Sequence, residues 1–141
     1  MTSDGIKDSD WDIVKTYAAE ICVLSADNLS DVFAKNKLTN YLKKLENQYG
    51  RLPSIVATQA DYVDDISQSL ALNKEAYMTA CEISDTTNMS LISGGIAEIY
   101  LEELNDNSKG KFWLNVFKDC LSQHTDEYLN VLFDELSNLA E

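Results

Sequence analysis

LISGGIAEIYLEELNDNSKGKFWLNVFKDCL, residues 91–121, decides the fold class of this chain. Its apolar residues Leu91, Ile92, Ile96, Ala97, Ile99, Tyr100 and Leu104 recur at three- and four-residue intervals, the period that puts them on one face of an α-helix. The polar run AsnAspAsnSerLysGly, 105–110, reads as a loop. Phe112, Trp113, Val116, Phe117, Cys120 and Leu121 then restart the same period. The pair Gly94–Gly95 lies inside the first helical pattern and has no GxxxxGK[ST] context, so it is not a phosphate loop. Two glycines cost a helix on the order of 2 kcal/mol relative to alanine, so a steric purpose is expected: close helix contact, a kink, or backbone access.

The same reading extends outward in both directions. Ser9 or Asp10 caps a first helix through Trp11, Val14, Tyr17, Ala18, Ile21 and Cys22, running to about Leu24. A second opens from Asn28 and carries Leu29, Val32, Phe33, Leu38, Tyr41, Leu42 and Leu45, closed by Gly50. Pro53 suits the first turn of a third. That helix bends near Asp64 and Asp65 into a fourth with Ile66, Leu70, Leu72, Ala76, Tyr77, Ala80 and Ile83. AspThrThrAsn, 85–88, is a polar turn with a cap. SerGlnHisThr, 122–125, separates a last stripe of Tyr128, Leu129, Leu132, Phe133, Leu136 and Leu139. No segment alternates with the period of a strand. The expected fold is one all-α domain over 1–141, a bundle of about six to seven antiparallel helices.

Charge divides the chain. Residues 1–50 hold six lysines against eight carboxylates, a net of −2, and residues 51–141 hold five cations against sixteen carboxylates, a net of −11. Residues 1–50 therefore read as a nearly neutral helical cap, and 51–141 as acidic helical hairpins. So acidic a field repels nucleic acid and draws in basic proteins. The opening MTSDGIKDSDWD lacks the basic start and apolar run of a secretory signal, and no apolar stretch reaches a membrane span. A soluble, cytoplasmic protein is expected. Cys22, Cys81 and Cys120 lie far apart without ligand spacing and read as reduced core residues.

Catalytic chemistry has little to build on. His124 is the only histidine and falls in a polar turn. No zinc spacing exists, and the acidic run Asp61, Asp64, Asp65 lacks the Gly and distal Glu of a calcium loop. No enzyme, metal or cofactor is expected. Carboxylate pairs are numerous, but most lie on polar helix sides, where nothing raises a pKa for acid catalysis. Glu98, Glu102 and Asp106, four apart, share a helical face with Glu103 close by. The candidate partner-binding residues are therefore Asp61, Asp64, Asp65, Glu98, Glu102, Glu103, Asp106, Asp126 and Glu127, a set suited to docking Lys and Arg side chains.

The hairpins also echo one another. Ala60-Asp61-Tyr62 is followed by Ala97-Glu98-Ile99-Tyr100, and Tyr77 with Ala80 by Phe117 with Cys120, at offsets near 37–40 residues. Over about 53–121 this resembles the tetratricopeptide repeat, in which small residues admit a second helix and aromatics fill the groove. The echo departs from that family in its period and in Asp85 where a closing Pro would stand. An ordinary bundle with similar hairpins is the other reading. The resemblance implies a concave face for a protein or peptide. In overall character, small, acidic and without chemistry, the chain resembles bacterial immunity proteins of the colicin and contact-dependent growth inhibition systems. That implies a cognate toxin domain, a basic nuclease, as partner, with no direct nucleic-acid or membrane binding. A tetratricopeptide-like adaptor or secretion chaperone for an extended peptide is the alternative.

Overall fold

The computed structural model describes residues 1–122 and 126–141. They form an all-α bundle: α1 (Asp8–Ala26), α2 (Val32–Tyr49), α3 (Pro53–Asp61), α4 (Ile66–Glu82), α5 (Thr86–Glu98), a π-helical turn (Ile99–Glu103), α6 (Asn107–Leu121) and α7 (Glu127–Ala140). Among the described residues there is no strand. Among them, too, no helix is long and apolar enough to cross a membrane.

Consecutive helices pack as neighbours, and α5 also touches α3 and α7. The buried side chains fall into three clusters along the chain. Ile6, Val14, Ile21, Leu38, Leu42, Leu45 and Ile55 join α1 and α2 to the start of α3. Val56, Leu70, Ala76, Ile92, Ile96 and Tyr100 join α3, α4 and α5. Ala97, Leu101, Leu114, Phe117, Leu129 and Leu136 join α5, α6 and α7. Trp113 packs against both of the last two.

Local chemistry sets the boundaries. Pro53 occupies the first turn of α3, where a missing N–H costs nothing. Asp65, Asp85, Asp106 and Asp126 cap α4, α5, α6 and α7 by accepting backbone N–H bonds from Ser67, Asn88, Lys109 and Leu129. Gly50 ends α2 at φ 89°, a left-handed backbone that glycine adopts without strain. Asp4 reaches across from the N-terminal segment, accepting from the Ser54 backbone N–H at 2.7 Å and from the Asn88 side chain. Asn88 also donates to Asp85 and Ser54, so a partly buried polar knot ties the N-terminal segment to α3 and α5.

Several expectations need correction. The first helix begins at Asp8 after Lys7, so neither Ser9 nor Asp10 caps it. The second starts at Val32 instead of Asn28, leaving Leu29, Val32 and Phe33 exposed beside the α1–α2 connection. Thr86–Asn88 are already the first helical turn of α5. The expected loop 105–110 shrinks to Asn105 and Asp106, because the Asp106 cap starts α6 at Asn107. Cys22 and Cys81 are exposed, and only Cys120 is core. Each exposed cysteine follows a buried residue, Ile21 or Ala80, and the 100° step of a helix turns it off the packed face. His124 and the 123–125 part of the polar turn lie outside the described residues.

Candidate functional site

Gly94 and Gly95 face opposite surroundings. A Cβ on Gly94 would stand 2.9 Å from Phe117 Cζ, so this glycine lets α6 close onto α5. A Cβ on Gly95 would meet nothing within 4 Å. That open side is a cleft. One part, about 330 Å³, is lined by Asp61, Asp64, Ser69, Gly95, Glu98 and Glu103 among others. A wider part, about 520 Å³, shares Asp61, Asn73, Gly95 and Glu98 with it and extends to Trp11, Asp12 and Lys15 of α1, over an apolar floor of Ala57, Leu91 and Ile92.

The π-helical turn decides which carboxylates enter. In an α-helix Glu98, Glu102 and Asp106 would stack four apart. Here Leu104 N–H bonds back to the Ile99 carbonyl, the five-residue reach of a π turn. The wider turn brings Glu103 to the cleft below Glu98 and leaves Glu102 outside its lining. Asp106 lies beyond the turn, where it caps α6 and sits 4.0 Å from Lys109 Nζ.

Of the nine candidate residues, the structure therefore gathers Asp61, Asp64, Glu98 and Glu103 around one cleft. Glu102 is exposed close to Glu98 and adds to its electrostatic load. Asp65, Asp106 and Asp126 are spent on helix capping, and Glu127 is exposed in the first turn of α7. Sequence reasoning missed the contribution of α1. Asp8, Trp11, Asp12 and Lys15 follow helical spacing and line the wide part of the cleft, a signal available in the sequence.

Electrostatically the cleft is unsettled. Among the described residues, none of Asp61, Asp64, Glu98 and Glu103 forms an ion pair, whereas Arg51 bridges Glu46 and Glu75 and Lys37 pairs with Glu20. Asp8 is held by the Met1 ammonium, which lowers its pKa. Asp61 keeps an exposed edge, yet its carboxyl is crowded by protein and loses hydration with no cation to offset the loss, which raises its pKa from 3.8 to about 6. Loss of hydration also raises Glu98, with repulsion from Glu102, Glu103 and Glu135 adding to it. Lys15 and the Met1 ammonium, the latter taken up by Asp8, are the cations along the cleft's lining in these residues. No three His, Cys, Asp or Glu side chains converge as metal ligands among the described residues.

No family model, no curated protein and no solved structure matches the chain.

Proposed function

We propose that this chain binds a basic protein through the acidic cleft beside α5, and that it does so as an immunity protein neutralising a cognate toxin domain, a basic nuclease. The observation that carries the reading is the convergence of Asp61, at the end of α3, and Asp64, in the α3–α4 connection, with Glu98 and Glu103, from α5 and the π turn, without a cation of their own. The raised carboxylate pKa values reflect lost hydration, with repulsion added at Glu98, and an incoming Lys or Arg offsets both. Side chains that replace phosphate at a nuclease's substrate surface would block it directly, and charge complementarity speeds encounter. Trp11 and the apolar floor offer an anchor alongside the charges.

The test is survival. Cells expressing the cognate toxin domain should live with the wild-type chain and die with Asp61→Lys combined with Glu98→Lys. Unchanged protection by that double variant, provided it folds by circular dichroism, defeats the reading.

The adjoining of two cavities, one reaching Trp11 and Lys15 of α1 and the other Glu103, favours one second reading, a tetratricopeptide-like adaptor or secretion chaperone gripping an extended basic peptide. The two differ in what binds. A short synthetic peptide from the partner should match the whole folded partner in affinity for an adaptor, and should fall far short for an immunity protein.

A further inference from the structure

Asp61, Asn73, Gly95 and Glu98 line both parts of the cleft, and Asn73 is the neutral polar side chain of that shared stretch. It is only 7% exposed. Hydrogen bonds that lead back to α3 fix its orientation. Ser69 Oγ donates to the Ala60 carbonyl at 2.9 Å, one residue before Asp61, and Asn73 Nδ2 donates to the Ser69 carbonyl at 3.1 Å. A carbonyl only accepts, so the amide nitrogen is the end that faces Ser69. Oδ1 is the end left over. It accepts no hydrogen bond among the described residues, yet no enclosed side-chain oxygen there lacks a partner, so Oδ1 reaches the open space of the cleft.

The shared stretch thus presents oxygen acceptors from three helices: Asp61 at the end of α3, Asn73 Oδ1 on α4 and Glu98 on α5. Burial is what shifts the Asp61 carboxyl, with no hydrogen bond or cation acting on it. Lys15, on the same lining, acts on Asp8 instead. A neutral oxygen beside carboxylates rewards a ligand that brings several N–H donors together with positive charge. Guanidinium and ammonium both qualify, and they differ in shape. A guanidinium fork pairs best with the two oxygens of one carboxylate in one plane, whereas an ammonium turns three donors toward acceptors set on different elements. The apolar floor of Ala57, Leu91 and Ile92 also suits a methylene stem.

We propose that this shared stretch is a subsite for a primary ammonium carried on a methylene chain, accepted by Asn73 Oδ1 and the Asp61 carboxylate with Glu98 alongside. The inference rests on the reading of the cleft as a site for a basic partner, and it names the group received. A lysine side chain carries that group, and so does a free polyamine.

Titration calorimetry at low salt with capped pentalysine, capped pentaarginine and spermidine tests it. The better ammonium probe should bind at least about threefold tighter than pentaarginine. Pentalysine above spermidine assigns the subsite to protein lysines, and the reverse order assigns it to a free polyamine. Asn73→Leu should weaken the better ammonium probe at least about fivefold with unchanged circular dichroism. Asn73→Asp keeps an acceptor in place while losing the bond to Ser69, and should bind at least as tightly as wild type. A role confined to packing would lose binding in both variants. Asp61→Asn should also weaken the probe, whereas Asp119→Asn, an equal loss of charge on α6 outside the lining, should leave affinity within about twofold. Absence of binding by both ammonium probes, pentaarginine as tight as either, or an Asn73→Leu protein that binds like wild type overturns the subsite. So does calcium at about 1 mM displacing the probe where sodium chloride of equal ionic strength does not, the mark of a metal site. Failure of the immunity reading stays distinct: a probe that binds as expected to a chain that gives no protection removes the toxin and leaves the subsite, and protection without ammonium selectivity does the reverse.

Discussion

The two sides of α5 use the same helix for opposite ends. On one, Ser93, Gly94 and Ala97 are buried, Gly94 and Ala97 toward Phe117 and the α6–α7 core. On the other, Gly95 and Glu98 border a cleft and Leu91 is half-exposed at its floor. The first side is close-packed, so a single added methyl must displace something. The second has room, and there Asp61 and Glu98 lose hydration with no ion pair to offset the loss among the described residues. Packing explains one glycine of the pair, and an open cleft explains the other. The difference separates what the fold needs from what the fold leaves available.

Cutting into the packed side should have the largest effect. Phe117 is fully buried, against Gly94 and edge-on to Phe133 at 6.0 Å between ring centroids. Phe117→Ala should cost about 3–5 kcal/mol of unfolding free energy in urea melts, from lost transfer energy and the cavity left behind. Gly94→Ala approaches the same contact from the other direction. Its new methyl would press on the ring at 2.9 Å, and the surrounding core leaves the ring little room to retreat. A loss of about 1–3 kcal/mol is expected, net of alanine's better helix propensity. A Gly94→Ala protein as stable as wild type would show that the two sides do not differ as described.

How much of this could be read in the sequence depended on whether the deciding interaction was periodic. The helices announced themselves because the buried positions Leu38, Leu42 and Leu45, or Leu114 and Phe117, repeat with the helical turn. Pro53 and Gly50 marked their places because each has a backbone demand of its own. Gly110 was read as loop, yet it lies inside α6, where a Cβ would fall 2.3 Å from Leu101 Cδ2. Its contact is made across two helices, and nothing local reports it. The cleft was half legible for a similar reason. Asp61, Asp64 and Glu98 stood out as acids, but their convergence depends on the packing of α3 and α4 on α5. The choice of Glu103 over Glu102 depends on one π turn, whose wider hydrogen bonding has no signature in residue spacing. The part played by α1 was overlooked because near-neutral net charge hid the local acids Asp8 and Asp12.

The open side should answer the glycine test with the opposite sign. Gly95→Ala meets no atom within 4 Å, so only the backbone term remains, and alanine is the better helix former. A gain of about 0.5–1 kcal/mol is expected in the same urea melts. Gly95→Ala also lays a methyl on the cleft wall between Asp61 and Glu98. If a partner's chain approaches the helix backbone there, the variant should be more stable and bind less tightly. A stabilised variant with undiminished binding would move the contact to another stretch of the cleft.

The smallest effect, and the one that bears most directly on the cleft, is that of pH. Asp61 titrates near 6 in the folded protein against an ordinary 3.8, because folding removes water from its carboxyl. Below about pH 4 the group is neutral in both states and costs nothing. As pH rises through 4 to 6, the unfolded chain releases this proton first, so wild-type stability falls over that window and levels off above it. The raised pKa of Glu98 slopes the same way. Asp61→Asn removes the larger contribution, so its stability should fall less between pH 4 and 7, with a residual slope from Glu98. The partly exposed edge of Asp61 lets solvent screen the penalty and keeps the difference modest. Parallel pH profiles for the two proteins would mean that the carboxyl is fully hydrated in the folded state. A stabilised Asp61→Asn that also binds its basic partner less tightly is the expected pairing, since a carboxylate kept at a cost to the free protein recovers that cost only against a cation.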